Sequence, residues 1–161
     1  MITIESPTVV AVDYVFDNMR EGNRREFAAL SWDDQPPCYL RDIPIDHPEH
    51  FVVVGREMPI AVLGGVEAQP KVWGVMMFAT DDVRRIGFSL AKISRDAIIP
   101  QMFHLGANRL QCTSPGWFTD AHRWLEFLGF RKESEMPAYG KDGETFFVFS
   151  LTRDSYVRFN H

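Results

Sequence analysis

The sequence predicts a mixed α/β fold of the α+β type: a mostly antiparallel central sheet with one parallel step, flanked by about four helices. Three observations carry this. Apolar runs of strand length at 51–56, 60–68 and 71–80 are separated by turns too short for a crossover, so they form an antiparallel meander. A long helical pattern follows the third run and leads into an apolar strand at 108–112, which a helical crossover sets parallel to a neighbour. Two further strands, 130–136 and 145–151, close the chain.

Taken in order, residues 2–5 alternate apolar and polar and read as a short first strand. Ser6-Pro7-Thr8 offers small caps and a proline near a first turn, so a helix starts there. Val9, Val12, Val15, Phe16 and Met19 recur at helical spacing and extend it over 8–19. Glu21-Gly22-Asn23 interrupts it, and 24–30 form a second helical piece whose Arg24 and Arg25 read as a solvated face. Prolines at 36, 37, 44 and 48 forbid a long regular element in 31–50. That segment reads as a connecting loop with one turn of helix near Tyr39-Leu40-Arg41.

In the meander, Glu57-Met58-Pro59 and Gln69-Pro70 supply the turns. Gly64-Gly65 marks a bulge or a close backbone approach. The third strand breaks at Thr80-Asp81-Asp82. The helix after it repeats Ile86, Leu90, Ile93 and Ala97, is kinked or split by Pro100, and stops at Gly106. Thr113-Ser114-Pro115-Gly116 is a loop. Residues 118–128 then form an amphipathic helix with Trp124, Leu125 and Leu128 on one face. Thr119 or Asp120 caps its start and Gly129-Phe130 ends it. The polar tail 154–161 is expected to be loose.

At 161 residues the chain suits one domain over 1–161. Such a domain buries roughly 70% of its unfolded surface and needs no staple. A net charge of -5 argues against a nucleic-acid or anionic-membrane binder, since no positive field is present to attract phosphates. The cysteines, Cys38 and Cys112, form no CxxC pair, which fits a reducing compartment. The first residues lack the pattern of a signal peptide, and no apolar run approaches the roughly 20 residues of a membrane span. These features point to a soluble, cytoplasmic protein. Asp46, His47, Glu49 and His50 lack a further ligand pair, so a metal is not expected.

The chemistry concentrates where the third strand turns into the long helix. A helix N-terminus presents unpartnered N–H groups and partial positive charge, and so favours an anion. Arg84, Arg85 and Gly87 stand at that point. The arginines offer forked donors to a pyrophosphate, and a glycine lets a phosphate approach the backbone.

This order of elements resembles the GNAT acyltransferase family over roughly residues 1–151. The segment Arg84-Arg85-Ile86-Gly87-Phe88-Ser89 is similar to the family's cofactor motif, with Ser89 where the family has Gly or Ala. The helix ending Trp124-Leu125-Glu126-Phe127-Leu128-Gly129-Phe130 and the aromatic-rich strands after it also resemble the family. The resemblance implies N-acetyl transfer from acetyl-CoA to an amine. Phe78, Ala79, Thr80, Arg84, Arg85, Gly87, Phe88 and Ser89 would hold the cofactor, and an N–H of Phe78, Ala79 or Thr80 would polarise the thioester carbonyl. Glu67 or Asp81, with Asp82 beside it, would serve as general base, and Tyr139 as acid. Tyr139 is needed because Leu125 stands where many members carry the tyrosine acid.

Asp17-Asn18-Met19-Arg20-Glu21 and His122-Arg123-Trp124-Leu125 resemble the GNAT-like proteins of tailed bacteriophages. That resemblance implies an alternative: a non-catalytic structural or assembly protein of a virion, with other virion proteins as partners and the host cytoplasm or the particle as its place. Two further patterns have bland readings. Ser114 and His122 match a nucleophile and base, but Ser114 more simply starts the turn before Pro115. Lys71, Arg84, Arg85 and Lys92 could form a protein-docking face.

Overall fold

A computed structural model describes residues 1–42 and 49–159. Among these residues, seven strands are hydrogen-bonded in the order β1-β2-β3-β4-β5-β7-β6. The chain divides into two units, one of 1–65 with 76–90 and the other of 66–75 with 91–161. It passes from one to the other within β3, β4 and α3.

The first unit starts with β1 (Ile2–Glu5), which pairs antiparallel with β2 (His50–Gly55). Helix α1 (Val9–Asp17) is capped by Thr8, whose hydroxyl accepts from the Ala11 amide at 3.2 Å. Such a cap is worth about 1 kcal/mol. Val12, Val15 and Phe16 bury one face of α1 and join Met19, Leu40, Val52, Val62 and Phe78 in a single core. Helix α2 is Glu21–Ala28, so Glu21-Gly22-Asn23 opens this helix instead of interrupting the chain. The cause is tertiary: the Asn23 side chain is buried and bonds to the backbone of a distant strand. Arg24 is no solvated face either; its guanidinium donates to the carbonyls of Met19 and Asp17 and closes the end of α1. The single turn of helix expected near residue 40 is a 3₁₀ turn, Cys38–Arg41. Arg41 stacks over Phe16 and pairs with Asp13 and Asp17. Pro44, Asp46, His47 and Pro48 lie outside the described residues.

β2 pairs antiparallel with β3 (Met58–Gln69). Their hairpin turns at Arg56-Glu57, both at positive φ (51° and 65°), one residue earlier than the sequence suggests. Pro59 lies within β3 opposite Val54, where the register shifts. An irregular ladder position tolerates the missing N–H. A Cβ on Gly64 would run into the His50 ring and the Glu49 carbonyl, so this glycine marks a close backbone approach.

In the second unit, the first three residues of β4 (Val72–Ala79) pair parallel with Arg109, Leu110 and Gln111 of β5 (Arg109–Pro115). This is the expected parallel step. All seven residues of β5 also pair antiparallel with β7 (Phe146–Thr152), whose far side carries β6 (Arg131–Met136). Between α3 (Val83–Ile93) and α4 (Ile99–His104) lies a π-helical turn, Ser94–Ile98. Pro100 cannot donate to, and clashes with, the carbonyl four residues back, and the widened turn accommodates it. Helix α5 (Thr119–Phe127) buries Leu125. The tail forms a helix, α6 (Arg153–Phe159), through position 159. Arg153 donates to the carbonyls of Phe103 (2.7 Å) and Ala107 (2.6 Å), and Tyr156 stacks on Phe103 at 4.5 Å. The sequence reading placed no helix here, because these partners lie about fifty residues earlier in the chain.

Candidate active site

In the first unit, the end of β4, the turn Thr80–Asp82 and the head of α3 bring together Phe78, Ala79, Thr80, Asp81, Arg84, Arg85, Gly87, Phe88 and Ser89. Phe78 and Ala79 are fully buried, while Arg84, Arg85, Phe88 and Ser89 are exposed. Arg85 pairs with Asp82 at 3.7 Å. The Thr80 hydroxyl is buried without a hydrogen-bond partner among the described residues.

The head of α3 differs from the simple anion pocket. The helix begins at Val83, and the amides of Val83, Arg84 and Arg85 already donate to the carbonyls of Thr80, Asp81 and Asp82, at 3.2, 3.3 and 3.0 Å. Gly87 therefore sits one turn inside the helix, where the dipole has faded. Its surroundings are open all the same: a Cβ added there would meet nothing within 4 Å.

The carbonyl-polarising donors can be sorted by direction. Successive residues of a strand send their N–H and C=O groups to opposite edges. The Thr80 amide donates to Ile60 of β3 at 2.8 Å, so Thr80, and Phe78 by alternation, face β3. Ala79 faces the other edge. Its carbonyl accepts from the Arg20 amide at 2.8 Å and its amide donates to Asn23 Oδ1 at 3.2 Å.

Sequence reasoning missed Asn23 and the two residues that hold it. Asn23 Oδ1 also accepts from Arg20 Nε at 2.7 Å. Its Nδ2 donates to Glu26 Oε2 at 3.2 Å and to the Met77 carbonyl at 3.5 Å. Both lone pairs and both N–H groups are thus used, and the two donors on one side fix which way the amide points. Burial pushes the Glu26 carboxyl up to about 7, against the lowering pull of Asn23 and of the Arg20 charge. The one sequence signal was polar: Arg20, Asn23 and Glu26 follow one another at three-residue spacing, which lets Asn23 and Glu26 meet on one helix face.

The remaining candidates belong to the second unit. Glu67 Oε1 accepts from the Lys71 amide at 2.7 Å and caps the β3–β4 turn, where Lys71 takes a φ of 65°. Tyr139 is half exposed, its ring 5.3 Å from that of Phe146. Leu125 is buried. Ser114 and His122 do not form a nucleophile pair, because His122 Nε2 is bonded to the Pro115 carbonyl at 2.8 Å. Burial among aromatic rings lowers the His122 pKa, so the ring is neutral at pH 7 and Nε2 carries the proton. Cys38 is exposed, Cys112 is half-buried, and both are free. Among the described residues no group of three His, Cys, Asp or Glu side chains could hold a metal, and no helix is long and apolar enough to cross a membrane.

No family model and no curated protein matches the sequence. Solved structures match the whole architecture. Spermidine N-acetyltransferase SpeG of Vibrio cholerae, in a single-substitution mutant form, superposes with a TM-score of 0.72 at 14% identity, covering 99% of this chain and 98% of its own. Ard1 of Thermoplasma volcanium gives 0.71 at 16%, covering 94% and 97%. yncA of Salmonella typhimurium, solved with its cofactor acetyl-CoA, gives 0.68 at 14%, covering 94% and 93%. The chain has the GNAT acetyltransferase fold.

Proposed function

We propose that this chain, as a single GNAT-like domain, binds acetyl-CoA at the β4–α3 junction and passes the acetyl group to an amine. The observation that carries this reading is Gly87. A glycine inside a helix costs about 1 kcal/mol relative to alanine. No close packing explains this one, since the space over its Cα is open. Close approach of a ligand group explains it, with the exposed Arg84 and Arg85 as charge-assisted donors to a pyrophosphate. The amine attacks the thioester carbonyl, the C–N bond forms and the C–S bond breaks. The proton leaving the amine ends on the thiolate. Glu26, near 7 and bonded through Asn23 to the β4 edge, has the affinity a general base needs at neutral pH. Asp81, Glu67 and Tyr139 are kept as further candidates for the proton steps.

A second reading is a GNAT fold without turnover, an assembly module such as a bacteriophage particle would use. Two observations favour it: Leu125 is buried and cannot donate a proton, and the first amides of α3 are closed onto the turn. Calorimetric titration with acetyl-CoA separates the two. Micromolar to submillimolar binding, lost in Arg84→Ala and Gly87→Glu, supports the first reading. No heat at millimolar acetyl-CoA sinks it and leaves the assembly module.

A further inference from the structure

The Asn23 amide occupies the place on β4 that an incoming carbonyl would need. Of the three residues whose N–H could polarise a thioester, Ala79 alone points away from β3, and that N–H is already spent on Asn23 Oδ1. The opposite side of the same amide reaches the Met77 carbonyl. Asn23 therefore engages β4 as the peptide group of a neighbouring strand would, and its oxygen stands where an acyl oxygen would stand. Arg20 and Glu26 hold it there, one on each side of the amide. The side chain is 2% exposed, yet it belongs to the first turn of a helix that enters from an extended residue, Arg20.

Resting on the acetyl-CoA reading above, we infer that Asn23 is a built-in plug: its amide oxygen holds the Ala79 N–H in the free protein and must yield it to the acetyl carbonyl when the cofactor binds. The Arg20–Asn23–Glu26 cluster is then a positioning device that sets how readily the strand edge opens. A purely structural asparagine would lower ligand affinity when removed. A plug raises it, and only for a ligand that carries the carbonyl.

The test is a titration of the wild type, Asn23→Ala and Asn23→Ser with acetyl-CoA and, separately, with CoA, with a thermal melt of each protein. Removing one competing hydrogen bond tightens acetyl-CoA by about tenfold and leaves CoA nearly unchanged. Wild-type binding with equal or weaker acetyl-CoA affinity in both well-folded variants, or equal gains for the two ligands, overturns the plug and leaves the acetyl-CoA reading standing. No binding of either ligand to any of the three proteins removes that reading and the plug together. Should both variants unfold, the wild type decides. The Asn23 side-chain amide resonances shift on adding acetyl-CoA but not CoA, and unmoved resonances under saturating acetyl-CoA overturn the plug.

Discussion

At the end of β4 the chain turns through Thr80–Asp82 into α3; at the end of β5 it turns through Gly116–Phe118 into α5. Both are strand-to-helix junctions, but they are finished differently. At the β5 junction the Pro115 carbonyl accepts from the Phe118 amide at 3.0 Å and from the His122 ring, seven residues on. The Gly116 amide donates to Thr145 at 2.9 Å, and a Cβ on Gly116 would come within 3.3 Å of the Phe147 ring. At the β4 junction the outward edge is finished by Asn23 and Arg20, more than fifty residues earlier, and Gly87 faces open space. One junction is sealed by its own neighbourhood. The other is completed by a side chain from far away in the chain, beside a glycine with room above it. Of the two, only the β4 junction leaves open space over its glycine.

The largest expected effect probes the polar cluster of the β4 junction. Glu26 has a folded value of about 7 against an ordinary 4.5, so the folded state holds this proton more tightly than the unfolded chain does. The stabilisation is complete below pH 4.5 and is lost as pH rises to about 7. At about 1.4 kcal/mol per unit, wild-type stability falls by about 3 kcal/mol between about pH 5 and about pH 8. Glu26→Gln lacks this slope. Urea unfolding of both proteins at the two pH values measures it, and parallel curves would show that Glu26 is solvated.

The sealed junction is tested next. Gly116→Val pushes against the Phe147 ring and the Thr145 carbonyl and destabilises by about 2 kcal/mol, read as a lower urea midpoint. The smallest effect has the opposite sign. Gly87→Ala fills open space in a helix and stabilises by about 1 kcal/mol, while acetyl-CoA binding weakens. If both glycine variants moved stability the same way, the contrast between the junctions would fail.

Much of this was legible in the sequence because it is local. Alternation and short turns located the meander, the helical crossover set the next strand parallel to a neighbour, and a solitary glycine after two arginines drew attention to α3. The misses share a cause. Asn23 read as a break because its propensity is poor for a helix interior, and its burial depends on a strand edge 56 residues away. Helix α6 was not read because its polar composition does not show that Arg153, at its start, bonds two carbonyls about fifty residues earlier.

The sequence alone determined the element order from β1 to β7, the one parallel step and the position of the arginine–glycine motif, since each follows from periodicity or turn chemistry within a few residues. Only the tertiary structure decided which strand amide faces outward, what already occupies it, and that a half-buried Glu26 stands near 7. Those depend on groups distant in the chain meeting in a place with little water, where each polar atom must find its partner or shift its charge.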